Sequence, residues 1–327
     1  MRRRWLAIGA LGTLTLLATA PAASIHFARK QARRAATPRF APLTKHPVVA
    51  LTFDDLPAAG GLTPGHTRAQ IATELSGELR AHHIKGVYGF VNAESLEGDP
   101  DVQQALRIWL RAGMNIGSHT WSHPALTDVT AADYVDDIAR NEPLLARYAG
   151  RRDWRWFRYP YLEEGDTLQK RDAVRGWLRE HRYHVAQVTL NFNDDDWQDP
   201  YARCLVKHDT QSIDWLKQSY LQNAAEFLRV GRQEEQIAFG REVPNVLLLH
   251  ETAFTTLMLP DLLHILGQQG FRFASLARVE RNRIYAQDPH AALKDGGTLP
   301  NQYLNARRLA YPPFTPEPED KLNTLCQ

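Results

Sequence analysis

The sequence predicts an α/β fold built on mainly parallel strands, and three observations carry that expectation. Short apolar runs recur along the chain, segments with helix-start signals separate them, and the alternation continues for about 240 residues from Pro47 onward. Six or more such units favour closure into a barrel, with an open doubly wound sheet as the alternative. No GxGxxG or phosphate loop follows the first run, which weighs against a nucleotide-binding version of the open sheet.

The strands are read at residues 48–53 (VVALTF), 86–91 (GVYGFV), 114–118 (MNIGS), 154–158 (WRWFR), 184–190 (HVAQVTL) and 245–250 (NVLLLH). Thr63 and Pro64 announce a helix over 66–82, Asp99 and Pro100 one over 101–112, and Thr130 one over 131–148. A side-chain oxygen satisfies free N–H groups at a helix start, and Pro fits the first turn. Gly113 and Gly150 supply stops. Residues 198–243 are mostly polar, with a helical stretch near 210–230, and form a long excursion between two strands. The tail over 286–327 carries Pro289, Pro300, Pro312, Pro313, Pro316 and Pro318, so it wraps the surface or lacks order in part.

Ahead of the first strand, Arg2, Arg3 and Arg4 precede an apolar stretch from Trp5 to Leu17 and then small residues through Ala23. Residues 1–23 read as a signal peptide, cleaved after Ala20 or Ala22, or as a retained membrane anchor with residues 5–27 as the tether. The arginines also fit a twin-arginine signal. Residues 24–46 read as a linker and 47–285 as the main domain. The body is therefore expected outside the cytoplasm: periplasmic, secreted, or anchored facing outward. Lys and Arg total 39 against 37 Asp and Glu, a formal charge of +2, and much of the basic excess lies in the first 34 residues. That leaves no electrostatic footprint of a nucleic-acid binder. Cys204 and Cys326 either pair, as an exported chain permits, or stand as isolated thiols.

Chemistry concentrates at strand ends. The first strand ends in TFDD, placing Asp54 and Asp55 where both barrels and open α/β sheets build active sites; a turn pair capping a helix is the plain alternative. The third runs into SHTWSH, and His119 and His123, four apart on a helical turn, present two imidazoles on one face. Two imidazoles and a carboxylate with an open position suit a catalytic Zn²⁺, although an HxxxH pair alone is more often structural. The fourth gives Arg158, Pro160 and Tyr161; Arg158 can hold a carboxylate or simply stack on aromatics. The fifth leads to Asp194, Asp195, Asp196 and Trp197, an acidic run that otherwise reads as a solvated loop, and the sixth delivers His250. A His held protonated by a nearby carboxylate can give a proton to a leaving amine.

The succession TFDD, HxxxH, RxPY, DW after acidic residues, and LxH over roughly residues 48–275 resembles the polysaccharide deacetylase family, also called the NodB-homology or carbohydrate esterase family 4 type. The resemblance implies a deformed (β/α) barrel and hydrolytic removal of acetyl groups from amino-sugar polymers or xylan. It makes 47–285 the catalytic domain and implies a divalent metal, Zn²⁺ foremost with Co²⁺ or Ni²⁺ as alternatives. By position, it implies Asp54 as general base, Asp55, His119 and His123 as metal ligands, and Arg158 as brace of the carboxylates. Tyr161 would offer its backbone N–H to an oxyanion, Asp196 would tune His250 as general acid, and Trp197 and Leu248 would wall the acetyl pocket. Three departures bear on substrate: Leu56 precedes Pro57 where the family has Gly-Pro, so the groove rim is expected to be bulkier or differently turned; Asn193 replaces the first Asp of DxxDW; and 198–243 is long. Two other functions are weighed, an amidohydrolase acting on a small amide and a carbohydrate-binding protein with a degenerate groove. Retention of Asp54, Asp55, His119, His123 and His250 disfavours the second, because a binding module has no use for a proton-transfer pair.

Overall fold

The computed structural model describes residues 40–327; the export segment assigned to residues 1–23, its tether, and the linker up to residue 39 lie outside the described residues. No helix among the described residues is long and apolar enough to cross a membrane. The strands are β1 (Val48–Leu56), β2 (Tyr88–Val91), β3 (Asn115–Ser118), β4 (Trp156–Phe157), β5 (His184–Val185), β6 (Asn245–His250) and β7 (Arg272–Phe273). They pair in the order β5-β4-β3-β2-β1-β6, every ladder parallel, with the short β7 beside the start of β1. Past β5 the chain turns toward the opposite edge: the Thr189 and Leu190 N–H groups donate to the Val246 carbonyl, and Leu248 N–H donates to the Leu190 carbonyl. One segment thus meets β4 with its beginning and β6 with its end, and closes the sheet into the expected deformed barrel.

The strands are apolar throughout because helices cover the barrel's outside and side chains fill its inside. In β1, Val49, Leu51 and Phe53 join one core with Trp109 and Ile116, while Ala50 packs on Tyr88, Phe90 and Val246 in another. The helix signals hold, with a shift of start in one case. Helix α1 (Arg68–Ala81) is capped by Thr67, four residues after the expected Thr63, in a reciprocal capping box with Gln70. Helix α2 (Pro100–Arg111) has Asp99 accepting from the Asp101 and Val102 N–H groups, and α3 (Ala131–Ala149) has Thr130 accepting from Asp133. Helices α4 (Leu168–Glu180) and, after the excursion, α7 (Ala253–Gln268) complete the layer, with α8 (Leu276–Val279) following β7.

The excursion is structure rather than a solvated insertion. It forms α5 (Gln198–Val206) and the 30-residue α6 (Thr210–Phe239). Leu216, Tyr220, Ala224 and Leu228 recur every four residues and are all buried, an apolar stripe that an overall polar composition conceals. At Gly231 the helix lies so close to the closing segment that a Cβ would stand 2.5 Å from Leu190 Cδ2.

The tail folds onto the domain as well. Helix α9 (Leu299–Ala306) buries Leu299, Tyr303 and Leu304 against Ala238 and Val243, and the Leu299 N–H donates to the Val188 carbonyl. A strap then runs to α10 (Glu319–Thr324), where Arg203 donates to the Leu322 and Leu325 carbonyls and Cys326 is disulfide-bonded to Cys204. The prolines sit mostly in the connections between these helices.

Cys326→Ser removes this cross-link, which closes a sequence separation of 122 residues, without placing a new group in the core. Long closed loops lose most from the unfolded ensemble, so the variant is expected to lose about 2–4 kcal/mol of stability. Denaturant unfolding under oxidising conditions reads this; coincident curves for variant and parent would show the tail is not held by the bond.

Candidate active site

Asp54 and Asp55 reach one site because β1 is irregular there. Asp54 stands in register with His250 of β6, but the pairing with β2 slips between Phe53 and Leu56, and Asp55 has φ 59°. A bulge re-aims the side chains of neighbouring residues, so two carboxylates that would diverge from a regular strand both face the strand-end cavity. Leu56 corrects the expectation of a bulky rim: it is fully buried, packed where Gly89 leaves room, since a Cβ on Gly89 would lie 2.2 Å from Leu56 Cδ2. The Leu56–Pro57 peptide is cis.

Asp54 is 2% exposed, and Arg158 meets it. Arg158 Nη1 donates to both Asp54 oxygens at 3.1 and 3.2 Å, Nη2 to Thr52 Oγ1 at 3.2 Å and Nε to the Ala186 carbonyl at 2.7 Å. Its guanidinium also lies 4.5 Å above the Phe90 ring. Arg158 therefore does both things the sequence allowed, bracing a carboxylate and stacking on an aromatic.

His119 and His123 do converge with Asp55, but not on a helical turn. They lie in a loop in which Thr120 and His123 take positive φ, and this backbone, rather than a 3.6-residue period, brings the rings to a centroid distance of 4.9 Å. His119 Nε2 is 3.4 Å and His123 Nε2 3.2 Å from Asp55 Oδ1. His119 Nδ1 lies 2.8 Å from the Arg158 carbonyl, a partner that can only accept, so Nδ1 carries the hydrogen and Nε2 keeps its lone pair. Asp55 Oδ1 is buried without a hydrogen-bond donor. Burial, then the neighbouring His119, pushes His123 down to about 4, so it is neutral at physiological pH. Burial opposes ionisation of Asp55, but the neighbouring His119, then His250 and His123, hold its carboxyl well below the usual range. An acceptor oxygen lacking a donor beside two imidazole nitrogens is the donor set a divalent ion such as Zn²⁺ fits.

The carboxylate serving His250 is Asp194, not Asp196. His250 Nδ1 is 2.9 Å from Asp194 Oδ1, and the His250 backbone N–H donates to Asp194 Oδ2, which also accepts from Thr255 Oγ1. Asp195 stands 3.3 Å from the same ring nitrogen, whereas Asp196 is exposed and paired toward Glu317. The exchange follows from Asn193, whose left-handed conformation (φ 52°, ψ 52°) turns Asp194 inward; Asn tolerates that region well. Burial alone would depress the His250 pKa, but the charges of Asp195 and Asp194 and the Asp194 hydrogen bond outweigh it and raise it well above the ordinary value.

Tyr161, with φ 56°, lies at the cavity mouth, its ring 4.5 Å from that of His123. Leu248 lines the cavity as expected. Trp197 does not. It is fully buried, its indole N–H donates to Ser219 Oγ at 2.8 Å, and its ring packs edge-on to Tyr220, so α6 has made it core. The cavity holds about 630 Å³, and part of its wall comes from residues that sequence reasoning did not single out, Phe227 and Glu234 of α6 and Asn301, Tyr311 and Phe314 of the tail. No motif marks them.

Residues 42–176 match the polysaccharide deacetylase family. That match covers less than half of the chain. The chain is 28% identical over 146 residues, 45% of its length and 46% of the relative's, to the peptidoglycan-N-acetylglucosamine deacetylase of Bacillus cereus. It is 24% identical to the chitin deacetylase of Arthroderma benhamiae over 48% of its own length and 38% of that protein's. It spans under half the length of either relative. The structure of the chitin deacetylase from the fungal pathogen Colletotrichum lindemuthianum aligns with TM-score 0.49 at 20% identity, covering 73% of this chain and 88% of the other. The matched span holds Asp54, Asp55, His119, His123, Arg158 and Tyr161, while Asp194 and His250 lie beyond it and join the site through the barrel's closure.

Two measurements check this geometry. His123→Ala is expected to lose bound metal on dialysis, read by elemental analysis; full retention would dissolve the triad. By NMR titration, Asp194→Asn is expected to lower the His250 pKa while Asp196→Asn leaves it in place. Because the folded pKa is raised, the contribution of this pair to stability is complete below about pH 6.5 and is lost as pH rises through the folded value. An Asp194→Asn titration identical to the parent's would refute the assignment.

Proposed function

We propose that this chain is an exported, metal-dependent hydrolase that removes acetyl groups from a cell-wall or extracellular polysaccharide, with N-acetylglucosamine polymers as the foremost substrate. One observation carries the reading: in a single cavity, a two-imidazole, one-carboxylate triad lies beside a buried carboxylate bonded to Arg158 and a histidine bonded to Asp194. A binding groove has no need of two proton-handling groups with opposed environments. The relatives' names, peptidoglycan-N-acetylglucosamine deacetylase and chitin deacetylase, support the substrate class.

Asp55, His119 and His123 would hold a divalent ion, foremost Zn²⁺, whose chemistry is to acidify water and polarise an acyl oxygen. Asp54, held in place by the Arg158 guanidinium, accepts the proton of the attacking water. The Tyr161 backbone N–H, at the mouth beside His123, faces the oxygen on which negative charge develops. His250, protonated by virtue of Asp194 and Asp195, gives its proton to the departing nitrogen, and acetate leaves. Leu248 bounds the site on the apolar side. The proposed division of the chain is an export segment over 1–23, a linker to 46, the catalytic domain over 47–285 and the tail.

Zinc-loaded protein incubated with peptidoglycan, chitin oligomers and acetylxylan is expected to release acetate from the amino-sugar substrates. Silence on all three would sink the proposal. Asp54→Asn is expected to lower turnover by about 10²- to 10⁴-fold, the range of general-base catalysis, while metal content stays at the parent's level. Loss of metal instead would show that Asp54, not Asp55, is the ligand.

A further inference from the structure

The cavity that holds the triad is walled on one side by chain lying beyond the family match: α6, and the strap between α9 and α10. Two features of this wall stand out. Tyr311 and Phe314 are 49% and 53% exposed, yet both line the cavity rather than the outer surface alone. The strap is also fastened on both sides of them: ahead of Tyr311, Arg307 Nη1 donates to the Ala238 carbonyl at 2.7 Å, and beyond it Arg229 Nη2 donates to the Pro313 carbonyl at 3.3 Å, the Thr315 N–H donates to Glu226 Oε1 at 2.9 Å, and Asn193 Nδ2 donates to Glu317 Oε2 at 3.2 Å. Further along, the bond from Cys326 to Cys204 fixes its end. Phe314 also lies edge-on to Phe227 of α6, ring centroids 6.0 Å apart. Exposed aromatics on a loose tail are ordinary surface; exposed aromatics held at both sides and turned into a catalytic cavity are a preformed apolar face.

The occupant follows from the cavity's continuity with the catalytic groups and from the face's chemistry. A pyranose ring carries axial C–H groups on one side and hydroxyls at its edge, so it matches an aromatic face bordered by polar groups. Such a border is present here in Glu234 and Asn301, which line the same cavity. We propose that Tyr311 and Phe314 are specificity-determining residues that stack the sugar unit neighbouring the one whose acetyl group faces Asp55, His119 and His123. This deepens the proposed deacetylase function and rests on it. The substrate class it names is an oligosaccharide of at least two joined sugars, with the strap recognising the second. The rigid strap lowers the ordering cost of binding, since the face need not be assembled by the ligand.

The test uses zinc-loaded Asp54→Asn protein, in which substrate is not consumed, and a tetramer of N-acetylglucosamine as the probe in isothermal titration calorimetry. Adding Tyr311→Leu and Phe314→Leu, which keeps apolar packing but removes the rings, is expected to weaken binding about tenfold or more. Adding Tyr311→Phe and Phe314→Tyr, which keeps both rings, is expected to bind like the Asp54→Asn parent. If the leucine variant binds within twofold of the parent, or the ring-keeping variant is weakened as much as the leucine one, the strap's role is overturned while the deacetylase reading stands. If the Asp54→Asn parent binds no tetramer and the unsubstituted protein releases no acetate from peptidoglycan, chitin oligomers or acetylxylan, the deacetylase reading fails and this inference falls with it.

Discussion

The site depends on Arg158. Its side chain, 1% exposed, ties the end of β4 to β1 through Asp54 and Thr52 and to the chain leaving β5 through the Ala186 carbonyl, while its own carbonyl orients His119 beyond β3. A charge taken this far from water is costly unless paired and fully bonded, and losing one partner of such a pair costs roughly 3–5 kcal/mol. Arg158 uses Nε, Nη1 and Nη2, and a flat face against Phe90, to meet that demand. A lysine could replace the charge but not the geometry, having one nitrogen where three are bonded. One residue thereby fixes the proposed base in position and one proposed ligand in the tautomer that leaves Nε2 free.

Much of this was legible in the chain itself. Apolar runs located six strands, and Asp99, Thr130, Gly113 and Gly150 bounded helices, because caps and buried parallel strands are local signals. The motif residues Asp54, Asp55, His119, His123, Arg158 and His250 were found because strand ends concentrate chemistry, and the cavity gathers or borders on all of them. Two of the misreadings, the helical turn at His119 and His123 and the role given to Asp196, originate in backbone shape. Positive φ at Asp55, Thr120, His123 and Asn193 decides where side chains point, and for non-glycine residues nothing in the letters announces it. Asp194 displaced Asp196 through one such residue. Trp197 became core through a different route, since α6, 30 residues long, covers it.

The excursion and the tail illustrate what composition hides. Both read as polar or proline-rich, yet α6 supplies a buried stripe, and α9 caps the closing segment through the Leu299 N–H and the Val188 carbonyl. The barrel needs them. One narrow seam lies between β6 and the segment that follows β5, where Leu190 bridges Leu247, and it is against that seam that Gly231 brings α6 into contact. A short strand pairing gives few ladder hydrogen bonds, so packing from outside supports the closing segment that leads on to Asp194 beside His250. Elements without proposed catalytic residues thus steady one half of the site.

Those halves sit in one cavity with opposite proton affinities. On the triad side, burial and the adjacent imidazole push His123 down to about 4 and leave it neutral. On the other side, Asp195 and Asp194 overcome the same burial penalty and hold a proton on His250. Desolvation acts on both rings in the same direction, so the difference comes from neighbours: His123 faces a histidine first and a carboxylate second, whereas His250 faces two carboxylates. Had the closing segment delivered neutral residues in place of Asp194 and Asp195, burial of His250 would go largely unopposed, and the cavity would contain the proposed metal site with no acid. The separation of the two proton affinities, created by where one irregular segment rejoins the barrel, is what the proposed reaction would use to return at His250 a proton like the one accepted at Asp54.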